Sequence, residues 1–323
     1  MRKLATIRVI SEIAPIPGAD NIEVATVDGW KVVVKKGEFT PGQRGLYCEI
    51  DSLIPHDLAP FLSRGQDKDY YRLKTVKLRG QMSQGLLLPI PEMLINFDDD
   101  EDCSELLGIK KWEDYIPTCL GGVAKGSFPS FIPKTDQERC QNLVRKINEK
   151  QGEPFEVTEK LDGSSMTCYL KDGEFGVCSR NLNIKESEDN SYWATANRLN
   201  IKEKLLDYGH CIALQGELVG PKIQGNKYKL ESLAYYIFDI FDIKQGAYLN
   251  PTLRRHITKV FELDHVPVIS KNYELSGGPR DLLKMADGQS CLNTTDREGL
   301  VFKSCDGGFS FKAISDKFLL KND

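Results

Sequence analysis

The residue with the clearest chemical potential is Lys160, inside the stretch Glu156-Val-Thr-Glu-Lys-Leu-Asp-Gly-Ser-Ser165. Residues with strand propensity lead into it, and Asp162-Gly163 turns the chain directly afterwards. A lysine at a strand end, before a tight turn and two hydroxyls, presents its amine to a cavity from a fixed base. That suits covalent catalysis, provided the amine can shed its proton. An ordinary lysine has a pKa near 10.4, so only roughly one in a thousand is neutral near pH 7. Lowering that value by roughly three units takes about 4 kcal/mol of differential interaction. Burial or a second cation can supply it. On these residues alone, a surface hairpin with an ordinary Asp-Gly turn fits better.

Further groups of chemical interest follow. Ile212-Ala-Leu-Gln-Gly-Glu-Leu-Val219 and Leu233-Ala-Tyr-Tyr-Ile-Phe-Asp-Ile-Phe241 read as strands, each carrying an acid (Glu217, Asp239) in apolar sequence. Buried carboxylates are costly unless paired or on a metal. Arg297-Glu-Gly-Leu-Val-Phe-Lys303 and Phe309-Ser-Phe-Lys-Ala-Ile314 read as a closing strand pair around Asp306-Gly307-Gly308, and Pro279 to Asp287 as a helix. If Asp172-Gly173 is a two-residue hairpin turn, Lys171 pairs with Glu174. Counting outward, Arg180 then falls opposite Ser165, which returns a guanidinium to the turn of Lys160. Thr135-Asp-Gln-Glu138 is a capping box that opens a helix to about Lys150. Its N–H groups, with Arg139 in the first turns, could hold an anion; a plain surface arginine on an amphipathic helix fits as well.

The elements that must position these residues fall into two domains, as expected for 323 residues. Residues 1 to about 95 read as about five short strands, with the clearest hairpin at Ile22–Val27, Asp28-Gly29 and Trp30–Val34. That density suggests a small barrel, of which the OB-fold is the commonest that touches nucleic acid. Basic residues crowd Arg64 to Arg79 (Arg64, Lys68, Arg72, Lys74, Lys77, Arg79). They make either a guarded edge strand or a phosphate-tracking groove. Asp98-Asp-Asp-Glu-Asp102 lacks the spaced ligands of a calcium loop and reads as a solvated acidic loop. The Gly/Ser/Pro-rich segment Thr118 to Ser130 reads as the linker and lacks the glycine spacing of a phosphate loop. The fold class expected is α+β: an all-β barrel over 1–122, then 123–323 as antiparallel sheets flanked by helices.

Bulk composition excludes several classes. No apolar run approaches a membrane span, and no signal peptide is apparent. The net charge of −4 gives no overall attraction to nucleic acid, so any such binding must come from local patches. The nine cysteines are scattered without a C-x-x-C pair, which argues against structural zinc and disulfides and for an intracellular setting. Only four histidines occur, none beside a plausible nucleophile, which disfavours His-based triads.

Five elements stand in one order: K-L-D-G-S at Lys160, S-R-N at Arg180, G-E-L at Glu217, I-F-D-I at Phe238 and E-G-L-V-F-K at Glu298, with F-K-A-I closing at Lys312. The series resembles the covalent nucleotidyltransferases, namely DNA ligases, RNA ligases and mRNA capping guanylyltransferases. The barrel ahead of the motifs, rather than behind them, resembles the Naegleria-type ATP-dependent RNA ligases over essentially the whole chain. The resemblance implies an OB-fold RNA-binding domain and a ligase domain that joins 3′-hydroxyl and 5′-phosphate RNA ends, as in nick sealing and RNA repair. It implies ATP as co-substrate, Mg²⁺ or Mn²⁺, an RNA partner, no membrane and a monomer. By the same resemblance Lys160 is the nucleophile that takes AMP. Lys312, with Lys303 as helper, neutralises phosphate charge. Asp162, Glu217 and Glu298 hold the metal, in part through its waters. Arg180 and Arg139 contact the nucleotide, Phe238 stacks on adenine, and Arg72, Lys74, Lys77 and Arg79 bind RNA. The family often carries two lysines around Lys312, but here Ser310 and Ile314 flank it. Strand alternation also places Glu298 and Lys303 on opposite faces, so sharing of the task by Lys303 stays open.

Three rivals remain. A capping guanylyltransferase would take GTP label rather than ATP. A DNA ligase would prefer a DNA 3′-end at a nick. A non-catalytic OB-fold RNA-binding protein would have no use for Lys160, Glu217, Glu298 and Lys312 together.

Overall fold

A computed structural model describes residues 2–63, 69–112 and 123–322. Arg64, Lys68, the domain boundary expected at 122/123 and the first five residues of the expected linker, 118–122, lie outside these residues. The chain forms two compact units, one of residues 1–115, 140–146 and 319–323, the other of 116–139 and 147–318.

In the first unit the hairpin Ile22–Val27/Trp30–Lys35 forms in the expected register, with Val27 opposite Trp30. Asp28 takes a left-handed φ of 50°, as a two-residue turn demands. The long strand Ala5–Pro15 pairs with this hairpin on one edge and with Arg44–Cys48 on the other, and Leu86–Leu88 follows. A bulge between Ile10 and Glu12 bends the long strand. The sheet curls into a nearly closed barrel, and Val33 N–H donates to Ser83 Oγ at 3.0 Å across the gap. Its core holds Ile7, Ile10, Trp30, Leu46 and Tyr47, all fully buried.

The basic stretch within Arg64 to Arg79, readable as one guarded edge strand, carries two strands in its described part. Tyr70–Arg72 joins Ser52–Pro55 and Lys110–Lys111 in one sheet, whereas Thr75–Leu78 forms a separate hairpin with Gln81–Gln84. Buried Leu73 causes the break: its N–H donates to Ser52 O and its carbonyl accepts from Asp51 N, both at 2.8 Å. The count therefore exceeds five strands. The acidic loop is pinned by cations, Asp99 to Arg44 at 2.8 Å and Asp100 to Arg8.

The second unit holds two antiparallel sheets. One orders Val268–Glu274, Pro154–Lys160, Gly299–Ser304 and Ser310–Ile314. The other is built around Glu174–Cys178, Ser164–Lys171, Ile212–Val219 and Ala234–Asp242. Helices Ser191–Arg198, Ile201–Tyr208 and Pro251–Val260 cover the outer face of the second sheet, burying Trp193, Leu205 and Ile257 against Met166, Leu214 and Ile237. Their starts follow local rules. Asn190 caps Tyr192 and Trp193 N–H, and Asn250 caps Leu253 N–H ahead of Pro251 in the first turn. The helix expected at Pro279 spans Pro279–Ala286. Among the described residues no helix is long and apolar enough to cross a membrane.

Two expectations fail here. No helix begins at Thr135; residues 133–138 are irregular, a 3₁₀ turn follows at Cys140–Asn142, and the α-helix is only Val144–Glu149. Thr135 Oγ1 lies 3.2 Å from Ser165 Oγ instead of capping, and the Glu138 carbonyl accepts from Lys312 N–H at 2.8 Å. Residues 124–127 are not linker but a strand, Ala124–Ser127, paired with Leu182–Ile184.

The second unit also holds a buried ion network. Arg254, only 1% exposed, bonds Glu156 and lies 3.5 Å from Asp239, whose other oxygen takes Lys303 Nζ at 2.7 Å. Burial pulls the pKa of His265 down to about 4. It is therefore neutral and accepts from Arg254 Nε at 3.1 Å while its Nδ1–H faces Val266 O. Removing one partner of such a pair leaves an uncompensated buried charge. Arg254→Met is therefore expected to cost about 3–5 kcal/mol of stability, read from denaturant unfolding of the second unit. A cost below about 1 kcal/mol would mean that the network is not closed around Arg254.

Candidate active site

The strand Pro154–Lys160 delivers Lys160 at its last position. Register fixes what surrounds it. Lys160 lies opposite Gly299, Glu156 opposite Lys303, and Val301 links Thr158 to Lys312. Directly paired residues project to the same side of a sheet. Lys160, Lys303 and Lys312 therefore share one face. Glu298 precedes the Gly299–Ser304 strand, so the alternation expected to separate it from Lys303 does not apply. Its Oε2 holds Lys160 Nζ at 2.7 Å. Lys312 lies close enough to draw the Glu298 pKa downward, against the larger upward push of burial.

The tight turn after Lys160 is possible because Gly163 has no side chain. A Cβ there would meet the Leu218 carbonyl oxygen at 2.4 Å and Val219 Cγ1 at 2.6 Å. The close approach lets Gly163 N–H donate to Glu217 Oε1 at 3.1 Å. Gly299 is equally constrained, since a Cβ would meet Ala313 O at 2.2 Å. Of the two hydroxyls that follow the turn, Ser164 bonds Tyr192 Oη at 2.6 Å and Ser165 faces Thr135.

Three carboxylates, Asp162, Glu217 and Glu298, act on the amine of Lys160. Burial lowers its pKa, but Glu298, Glu217 and Asp162 together more than offset this, so the net shift is upward. The expectation of a lysine depressed by its own surroundings is thus corrected: these side chains hold it as an ammonium. Burial pushes Glu217 up to about 8, with Lys160 opposing and the other two acids adding to it. Because the folded chain binds this proton more tightly than the unfolded one, its stabilising contribution is fully present below about pH 4.5 and lost as pH rises through about 8. In chelator, the unfolding midpoint is expected to fall across that window. Glu217→Gln should flatten the slope; identical slopes in both proteins would contradict it.

An oxygen-only donor set suits Mg²⁺ or Mn²⁺. Among the described residues, however, no three His, Cys, Asp or Glu converge as a ready ligand cluster. Each acid is held by the chain itself: Glu298 by Lys160, Glu217 by Gly163 N–H, and Asp162 by Lys227. The set fits a hydrated divalent cation held through one or two carboxylates and water, rather than a dedicated cage.

Phe238 sits at a bulge in Ala234–Asp242, between Ile237 opposite Gly216 and Asp239 opposite Gln215. The extra residue turns both Phe238 and Asp239 away from the helix-covered face, which holds Ile237 and Ile240. Phe238 then packs beside Leu161, Val219, Tyr228 and Val266. Lys303 Nζ bonds the Phe238 carbonyl at 2.6 Å and lies 5.7 Å from its ring centroid. Lys303 is thus committed to Asp239 and Phe238.

The 164–178 hairpin has the expected register, with Lys171 opposite Glu174, but its ladder ends at Thr167 and Cys178. Ser165 pairs with Glu217 on its other side, and Arg180 turns outward to Asp136 at 2.7 Å. Arg139 is buried and its main chain bridges to Lys312. Lys227 and Tyr228, which hold Asp162, escaped the sequence because they lie in a loop without any motif. In the first unit Lys74, Lys77 and Arg79 are exposed, whereas Arg72 is paired with Asp51 at 2.7 Å and stacked 5.0 Å from Trp112.

No curated protein matches the chain. Residues 153–314 match the RNA ligase family model, and residues 4–90 match an OB-fold domain model. Among solved structures, the chain is similar to a variant of Naegleria gruberi RNA ligase at 48% identity and TM-score 0.95, covering 99% of this chain and 98% of that one. The same enzyme with pyrophosphate matches at 48% identity and TM-score 0.94, covering 100% and 99%. A variant solved with ATP and Mn matches at 48% and 0.94, covering 99% of both chains.

Proposed function

The chain belongs to the RNA ligase family and is an ATP-dependent RNA ligase, and we propose that it seals 3′-hydroxyl and 5′-phosphate RNA ends at nicks through a lysyl-AMP on Lys160. The observation that carries this is the pairing of Lys160 with Glu298 at 2.7 Å, on one sheet face with Lys312 and within reach of Glu217 and Asp162. Residues from distant parts of the sequence meet around one amine.

In the first step the Lys160 ammonium gives up a proton to solvent, its neutral Nζ attacks the α-phosphorus of ATP, the bond to pyrophosphate breaks, and a phosphoramidate forms. Glu298 orients the amine along its strand, and Lys312 faces the developing charge on the non-bridging oxygens. When bound, a divalent cation supplies positive charge beside the carboxylates and so favours the neutral amine. Lys303 acts indirectly: held by Asp239, it fixes the Phe238 bulge against which adenine stacks. Arg139 fixes the strand of Lys312 through its main chain, and Arg180 lies at the rim through Asp136. AMP then passes from Lys160 to the RNA 5′-phosphate. The 3′-hydroxyl attacks that phosphorus, AMP leaves, and the strand is closed. Sealing of a duplex nick with an RNA 3′-end, and not with a DNA 3′-end, tests the reading; equal sealing of both would favour a DNA ligase.

The barrel serves as the RNA clamp through Lys74, Lys77 and Arg79. Replacing these three with glutamine is expected to flatten the salt dependence of RNA binding by up to about one unit of slope for each phosphate no longer neutralised. Adenylylation should be unchanged. Arg72 is a poor probe, because its loss also breaks the ion pair with Asp51. An unaltered salt slope would move the clamp elsewhere.

A further inference from the structure

Asp162 is gripped by a loop that none of the motifs contains. Lys227 forms an ion pair with its carboxylate, and Asp162 N–H donates to Tyr228 Oη at 2.7 Å. Asn293 Nδ2 holds the Lys227 carbonyl at 3.0 Å, which fixes the loop from the far side. The Lys227 ammonium also stands 4.6 Å from the Phe318 ring centroid, so it holds the carboxylate and the ring face at once. Two lysines and three acids thus interleave at the site: Lys227 on Asp162, Lys160 on Glu298, and Glu217 on Gly163 N–H.

We propose that Lys227 is a displaceable counter-cation for the metal site, occupying Asp162 until a divalent cation takes that carboxylate and leaves Lys227 on the Phe318 ring alone. The proposal rests on the ligase assignment of Asp162 above. Its physical basis is competition: a cation arriving at Asp162 must break an existing ion pair, so removing Lys227 removes a competitor. Tyr228 keeps the Asp162 backbone in place throughout, so exchange at the carboxylate does not require the turn to refold. Lys227 is in this sense a positioning residue that acts through Asp162.

The test is Mn²⁺ binding by the full chain without ATP, followed by the electron paramagnetic resonance signal of free Mn²⁺. Lys227→Met is expected to bind Mn²⁺ about five- to tenfold more tightly than the natural chain at low salt, a shift of about 1 kcal/mol or slightly more. Lys227→Arg keeps the competing charge and should stay near the natural chain. In an Asp162→Asn background, Lys227→Met should make no further difference. Lys227→Gln serves as a second neutral variant if the methionine impairs folding. Unchanged or weaker binding in both neutral variants, a gain that persists without the Asp162 carboxylate, or no binding by any of the proteins would overturn the proposal. Because the readout is metal binding, its failure is separate from failure of the ligase assignment, which the adduct on Lys160 decides.

Discussion

Lys160→Ala is expected to abolish formation of the protein–AMP adduct while the fold stays intact. The side chain is part-exposed at a strand end and its loss opens no core cavity, so the effect falls on chemistry. Glu298 loses its partner, at a modest cost in stability. Lys160→Arg should fail as completely, because a guanidinium stays protonated in a protein and cannot attack phosphorus. Both variants should still seal RNA that already carries a 5′-adenylate, since the later steps do not use the amine as nucleophile. Comparing the two substrates separates loss of the first step from general damage to the site. If either variant forms the adduct at an appreciable rate, another residue is the nucleophile.

Glu298→Ala is expected to slow adenylylation by at least about 2–4 kcal/mol of transition-state stabilisation, roughly thirtyfold to a thousandfold. The sign makes this informative. Glu298 is the leading cause of the raised Lys160 pKa after the opposing effect of burial. If pairing with Lys160 were its only task, removing it would free the amine and speed the reaction at a given pH. A slower reaction shows that Glu298 serves the attacked phosphate and its cation, not just the ammonium. The pH profile should separate the two roles: the variant should reach its plateau at lower pH than the natural chain, but at a far lower maximum. A rate equal to or above the natural one would remove Glu298 from the chemistry.

The candidate site was legible in the sequence where its residues lie on short strand-and-turn segments. Lys160, Glu217, Glu298 and Lys312 each sit in such a segment, and β-pairing brings those segments together with little freedom of register. What escaped depends on interactions between segments distant in sequence. The capping box at Thr135 has the local pattern of a helix start, yet the Glu138 carbonyl is taken by Lys312, 174 residues away, and no helix forms there. The hairpin register holds, but its ladder ends at Thr167 and Cys178, so Arg180 does not come to lie opposite Ser165. Lys303 has the family pattern of a phosphate-facing cation but is claimed by Asp239. The Phe238 bulge that turns Asp239 toward it adds one residue to a strand and leaves no mark in the composition. Lys227 and Tyr228 lie in an irregular loop, where no periodicity records which residue will meet Asp162. The barrel was legible as a barrel because Asp28-Gly29 fixes one hairpin. Its strand count was not, since the break at Leu73 depends on partners at Asp51 and Ser52.

Uptake of AMP from ATP by Lys160 is the step on which the proposed mechanism turns. Its most direct test is the intact mass of the protein after incubation with ATP and Mn²⁺, followed by peptide mapping of the modified residue. A gain of one AMP is expected, confined to the peptide that contains Lys160, absent in chelator and reversed by added pyrophosphate. No gain in mass, or AMP on any other residue, would contradict it.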